Sequence, residues 1–118
     1  MITAIDHIQI SIPAGKVADA LRFYVDALGF ARVPKPAELP QDGAWLSQGA
    51  VNLHLGEEAD FATDARAHPA FSVTDIEAIL ARCAVGGYRV RRDEGPAGYS
   101  RASAFDAFGN RIELMQKL

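Results

Sequence analysis

Apolar and polar residues alternate along His7-Ile8-Gln9-Ile10-Ser11-Ile12, and a period of two predicts a strand. Ile8, Ile10 and Ile12 share one face, and His7, Gln9 and Ser11 share the other. The period then changes. Val17, Ala20, Leu21, Tyr24 and Leu28 fall on one side of a helix that Gly29 ends. Weaker strand signals follow at 29–33, 44–48 and 51–55, with a loop of three prolines across 34–42. After a connection read from Glu57 to Ala67 the order begins again. His68-Pro69-Ala70-Phe71-Ser72-Val73 alternates, and Thr74-Asp75-Ile76-Glu77 reads as a capping box. The helix it opens places Ile76, Ile79, Leu80 and Cys83 on one face, and Gly86-Gly87 stops it. Further strands are predicted at 89–92, 101–105 and 111–116.

The chain is thus an internal repeat, each copy reading β-α-β-β-β. His7 and His68 open the two copies, a Ser follows each by four residues, and Gly29-Phe30 and Gly87-Tyr88 close the helices. The histidines stand 61 residues apart and the closing aromatics 58, so the copies differ by a short insertion or deletion. The pattern predicts an α+β fold of tandem βαβββ modules. It is one domain over 1–118, with the first module over about 1–57 and the second over about 67–118.

Alternation also assigns the polar faces. Asn52 and His54 oppose Val51, Leu53 and Leu55, while Arg111, Glu113 and Met115 oppose Ile112 and Leu114. The faces turned away from the helices therefore carry all three histidines, His7, His54 and His68, together with Glu113. His7 and His68 are equivalent in the repeat, as are His54 and Glu113, so a pseudo-two-fold axis would bring two pairs of metal-competent side chains together. Neutral imidazoles with one carboxylate suit Zn, Ni, Mn or Fe far better than Mg or Ca.

Composition narrows the picture further. No apolar run approaches the length of a membrane span, and a net charge of −3 argues against a nucleic-acid partner. The single cysteine, Cys83, lies on an apolar stripe and points to a reducing cytoplasm. Nine of the twelve basic residues are arginine, which favours planar recognition of anions. Arg101 follows a Gly-rich turn and is the candidate for a substrate anion, with Tyr99 as a neighbouring hydrogen-bond donor. Arg89, Arg91 and Arg92 read as a charged strand edge.

At this point the residues resemble the vicinal oxygen chelate superfamily of glyoxalase, bleomycin-resistance and extradiol-dioxygenase proteins. The resemblance rests on Asp6-His7-Ile8, on Phe23-Tyr24-Val25-Asp26-Ala27-Leu28-Gly29-Phe30 and on His68-Pro69-Ala70-Phe71. It rests also on Asp106-Ala107-Phe108-Gly109-Asn110-Arg111-Ile112-Glu113-Leu114, with Ala107 where the family usually has proline. It implies an open, cup-shaped barrel with helices outside, and a divalent transition metal on His7, His68 and Glu113, with His54 at the fourth ligand position. Glu113 and Tyr99 are then the catalytic candidates, and Arg101 and Gln9 the substrate-binding ones.

The resemblance implies a metal-dependent glyoxalase-like enzyme acting on a small oxygenated substrate, as a homodimer that covers open sheet edges. The alternatives are a metal-free binding protein of the bleomycin-resistance kind and a non-heme iron dioxygenase. Glyoxalase I proteins usually carry Glu where His54 stands, and bleomycin-binding members lack the metal set that this chain retains.

Overall fold

The computed structural model describes residues 1–64 and 66–118. Ala65, within the connection between the repeats, lies outside the described residues. The elements run β1 (Ile8–Pro13), α1 (Val17–Leu21) continuing into a π-helical turn (Arg22–Ala27), β2 (Ala31–Val33), β3 (Ala44–Gln48) and β4 (Val51–Glu58). The second half follows as β5 (Ala70–Ser72), α2 (Ile76–Val85), β6 (Val90–Asp93), β7 (Tyr99–Phe105) and β8 (Arg111–Lys117). The predicted β-α-β-β-β repeat is present in both halves. Each forms a mixed four-stranded sheet in equivalent order, β1-β4-β3-β2 and β5-β8-β7-β6. In each, the first strand runs parallel to the last and the remaining pairs are antiparallel. No helix of the described residues is long and apolar enough to cross a membrane.

The apolar faces assigned by alternation are the buried ones: Ile10, Ile12, Leu53, Leu55, Ile112 and Leu114 belong to one core with Ala20, Phe23, Tyr24, Leu80 and Cys83. Two local readings change. The first helix is not α-helical throughout. From Phe23 the bonding widens, with the Leu28 N–H reaching the Phe23 carbonyl at 2.9 Å and the Phe30 N–H reaching that of Tyr24 at 3.0 Å. The wider turn lets the consecutive Phe23 and Tyr24 both be buried.

The capping box does not form either. Asp75, one residue later than Thr74, caps α2 by accepting from the Ala78 N–H at 3.0 Å, and Glu77 instead pairs with Arg92. Asp75 is the better cap because its carboxylate adds charge at the positive end of the helix. Strand ends also shift: β4 continues to Glu58, which shortens the connection, and β7 begins at Tyr99.

The halves are tied by polar contacts through the core. Buried Asp106, in the turn before β8, accepts from the Tyr24 hydroxyl at 2.8 Å, from the Phe108 and Asn110 N–H groups at 2.9 Å, and from the Asn110 side-chain amide at 2.8 Å. That amide also donates to the Ser11 carbonyl of β1 at 2.8 Å. Burial, followed by the adjacent Asp106 charge, pushes the Tyr24 phenol well above its ordinary pKa, so it remains a donor. The family motifs in the first helix and before β8 therefore meet as one hydrogen-bonded unit.

At the loop end of β4, the Glu57 carboxylate accepts from the Gly43 and Gly15 N–H groups, both at 2.6 Å. These bonds, Gly43 first, hold its pKa below the ordinary carboxylate value. Gly43 has φ +66°, and a Cβ there would fall 2.2 Å from the Leu55 carbonyl oxygen, so the clasp requires glycine.

Two outcomes are expected from these contacts. Tyr24→Phe should cost about 1–2 kcal/mol in urea unfolding by leaving a buried carboxylate one donor short, and Asp106→Ala about 3 kcal/mol or more. Glu57, with a folded pKa below its unfolded one, stabilises the fold above the unfolded pKa and loses that contribution as pH falls through the folded value. Glu57→Gln should therefore flatten the acid side of a stability–pH curve measured by chemical denaturation.

Candidate metal centre

Each sheet presents one polar face. On the first, His54 of β4 lies in register with Gln9 of β1 on one side and Trp45 of β3 on the other. The imidazole of His54 is stacked between two rings, 4.0 Å from His7 and 4.2 Å from Trp45 between centroids. Burial, and secondarily the neighbouring His7, lowers the His54 pKa, which favours a neutral, ligand-competent imidazole at neutral pH. His7 Nδ1 donates to the Asp6 carboxylate at 2.8 Å, leaving Nε2 free. Gln9 lies against the Gly56 backbone, where a Cβ on Gly56 would meet its amide.

On the second face, register places Ala70 of β5 and Ser103 of β7 on either side of Glu113. His68 precedes β5, and its Nδ1 donates to the Arg66 carbonyl at 2.8 Å, which turns Nε2 outward. That Nε2 lies 3.8 Å from Glu113 Oε1. Two donors bound at about 2.1 Å to one cation stand roughly 3 to 4.2 Å apart, depending on the angle between them. The spacing and the donor chemistry therefore fit a shared transition metal.

Glu113 is only 7% exposed, and its Oε1 also has the Arg111 guanidinium at 3.4 Å and that of Arg101 at 3.9 Å. Arg111 Nε donates to Ser103 Oγ at 3.0 Å, and Ser103 Oγ donates to Asp93 at 3.3 Å. Tyr99 stands four positions along β7 from Ser103, about 13 Å from that level of the strand. It is not brought beside Glu113.

The structure thus makes two pairs, His7 with His54 and His68 with Glu113. No group of three metal-competent side chains forms among the described residues. The halves approach at a cleft of about 400 Å³ bordered by Gln9 and Ser11 of β1, by His68 and Pro69, and by Asn110 and Arg111. A second cavity, of about 380 Å³, lies beside α2 among Leu28, Phe30, Val51, Phe71 and Ile79 and touches none of the histidines.

Asp6 and Arg111 were not singled out as site residues by sequence, and Trp45, which could line the cup, reads more readily as core. Asp6 adjoins a candidate ligand, and Arg111 shares the face of Glu113 by period two, so both left a signal. The pairing of Trp45 with His54 depends on strand register and left none.

The family profile described as Glyoxalase/Bleomycin resistance protein/Dioxygenase superfamily matches residues 4–114. The chain belongs to this superfamily. Among solved structures of the glyoxalase fold, a putative glyoxalase family protein from Bacillus anthracis is 36% identical with a TM-score of 0.92. That match covers 100% of this chain and 98% of the other. The fosfomycin resistance protein FosX from Listeria monocytogenes is 12% identical with a TM-score of 0.80, covering 100% and 96%. The antibiotic-binding protein TnmS3 from Streptomyces sp. CB03234 is 24% identical with a TM-score of 0.70, covering 98% and 99%. These last two share the glyoxalase fold. No curated protein sequence matches this chain.

The histidine stack carries its own expectation. By proton NMR, His54 should titrate below the ordinary histidine value of about 6.5, and His7→Ala should move its midpoint upward.

Proposed function

We propose that this chain is a metal-dependent, glyoxalase-like enzyme for a small oxygenated substrate, with its site completed between two copies of the chain. His68 and Glu113 of one copy and His7 of the other hold a Zn, Ni, Mn or Fe ion, with His54 as a fourth ligand beside His7. The observation that carries the reading is the state of the ligands. Both His7 and His68 have Nδ1 committed to an oxygen acceptor, leaving Nε2 free, and His68 Nε2 already stands at a shared-cation distance from Glu113. When bound, the metal supplies Lewis acidity for charge that develops on a substrate oxygen.

The chain's own groups do the rest. Asp6 and the Arg66 carbonyl fix the imidazole orientation, and Gln9 contacts substrate across the cleft. Glu113 is the carboxylate available to take a proton.

Two features support completion by a second copy. The donor pairs stay apart within one chain, and the arm before β1 leaves Ile2 and Ile5 96% and 81% exposed. Exposed apolar residues next to His7 suit burial against a partner. A metal-free binder is the second reading, favoured by one observation: Arg101 and Arg111 already offset the Glu113 charge.

Light scattering should give a dimer at micromolar concentration, and calorimetric titration of the apo-protein should show Zn, Ni or Mn binding. His7→Ala, His68→Ala and Glu113→Gln should each abolish it or weaken it by at least about tenfold, and Asp6→Asn by about 10- to 100-fold. Mixing His7→Ala chains with Glu113→Gln chains should restore one site per mixed dimer. No recovery on mixing would place the site within a single chain, and no metal binding in the parent protein would favour the binder.

A further inference from the structure

The metal reading leaves the two guanidinium groups against Glu113 without a role. At the level of Glu113 and one row to either side, the second sheet face carries Arg91, Arg101 and Arg111 against Asp93 and Glu113, with Arg89 set over the Phe105 ring. Arg91 and Asp93 pair with each other at 3.0 Å. Glu113 is therefore left with two cationic neighbours, a surplus of one positive charge before any cation arrives. A divalent cation on Glu113 raises that surplus to three in a partly buried place, which is unfavourable unless an anion comes with it.

The two arginines are not equivalent. Arg111 is fixed, with its Nε on Ser103 and Ser103 in turn on Asp93. Arg101 is under-used. Its Nη2 has one long bond, 3.4 Å to the Glu94 carbonyl, and its buried Nε has no partner among the described residues. Its side chain keeps 28% exposure beside Glu113. A guanidinium carries five N–H donors in a planar fork that matches a carboxylate, so Arg101 has donors to spare in the direction of the site.

We propose that Arg101 recognises a carboxylate on the substrate, and that Glu113 and the substrate share it in turn. Without a cation, Arg101 is docked on Glu113; with one, it is released to the substrate. The inference rests on the proposed metal site and narrows its substrate to a small carboxylate. Metal and anion should therefore bind with mutual reinforcement.

Glycolate and glycolamide test this, because both offer vicinal oxygens and they differ in charge. Mn binding to the full chain is measured by titration calorimetry alone and with each compound at saturation. Glycolate should tighten Mn binding by about tenfold or more and glycolamide should not. Arg101→Gln should bind Mn alone at least as well as the parent and lose the glycolate gain, while Arg101→Lys keeps part of it. Equal effects of the two compounds on the parent, or an undiminished glycolate gain in Arg101→Gln, would overturn the proposal.

A second arm needs no metal. Glu113→Gln frees Arg101, so it should bind glycolate where the metal-free parent does not, and adding Arg101→Gln should abolish that binding. If the parent binds no Mn but Glu113→Gln takes glycolate through Arg101, the metal reading falls and the role of Arg101 stands. If Glu113→Gln binds glycolate no better than the parent, the role of Arg101 falls.

Discussion

The buried carboxylate of Asp106 is the junction on which the arrangement of the two halves depends. Its four donors come from the first helix and from the turn that launches β8, and the same turn reaches β1 through Asn110. A buried anion without these donors would cost several kcal/mol, so the first helix, β1 and the start of β8 are specified together. Glu113 lies seven residues beyond Asp106 on β8, and His68 is set beside it by the parallel pairing of β5 with β8. The metal-competent pair inherits its position from a hydrogen-bonded knot at the start of β8.

The repeat is symmetric in topology and asymmetric in chemistry. The first face is aromatic, with His54 stacked between the His7 and Trp45 rings; the second is charged, with arginines and carboxylates alternating across strands. Stacked, neutral rings are good ligands and poor binders of anions, whereas the guanidinium groups are the reverse. The scaffold occurs twice, and its two polar faces offer different chemistry.

Much of this was legible in the chain because strand alternation is a local property. A period of two assigned His7, Gln9, His54, His68 and Glu113 to the polar faces, and the same rule buried Ile10, Leu53 and Leu114. What depends on a third element was not legible. The engagement of Glu77 by Arg92 in place of a capping box spans 15 residues. The stack of Trp45 on His54 needs the β3–β4 register, and the approach of Arg101 to Glu113 needs that of β7 and β8. The separation of the two donor pairs follows from how the halves pack, which alternation within a strand does not encode.

The parallel pairing of first and last strands in each half bears on how the chain acquires its shape during synthesis. β1 has no lateral partner until β4 is made, some 45 residues later, and the same holds for β5 and β8. Neither half can close as an independent hairpin, so folding proceeds in units of a whole repeat and with high contact order. The Tyr24–Asp106 bond spans 82 residues and can form only after most of the second repeat has been made. The first half is therefore made with a helix that still lacks its polar anchor, and the turn before β8 supplies it.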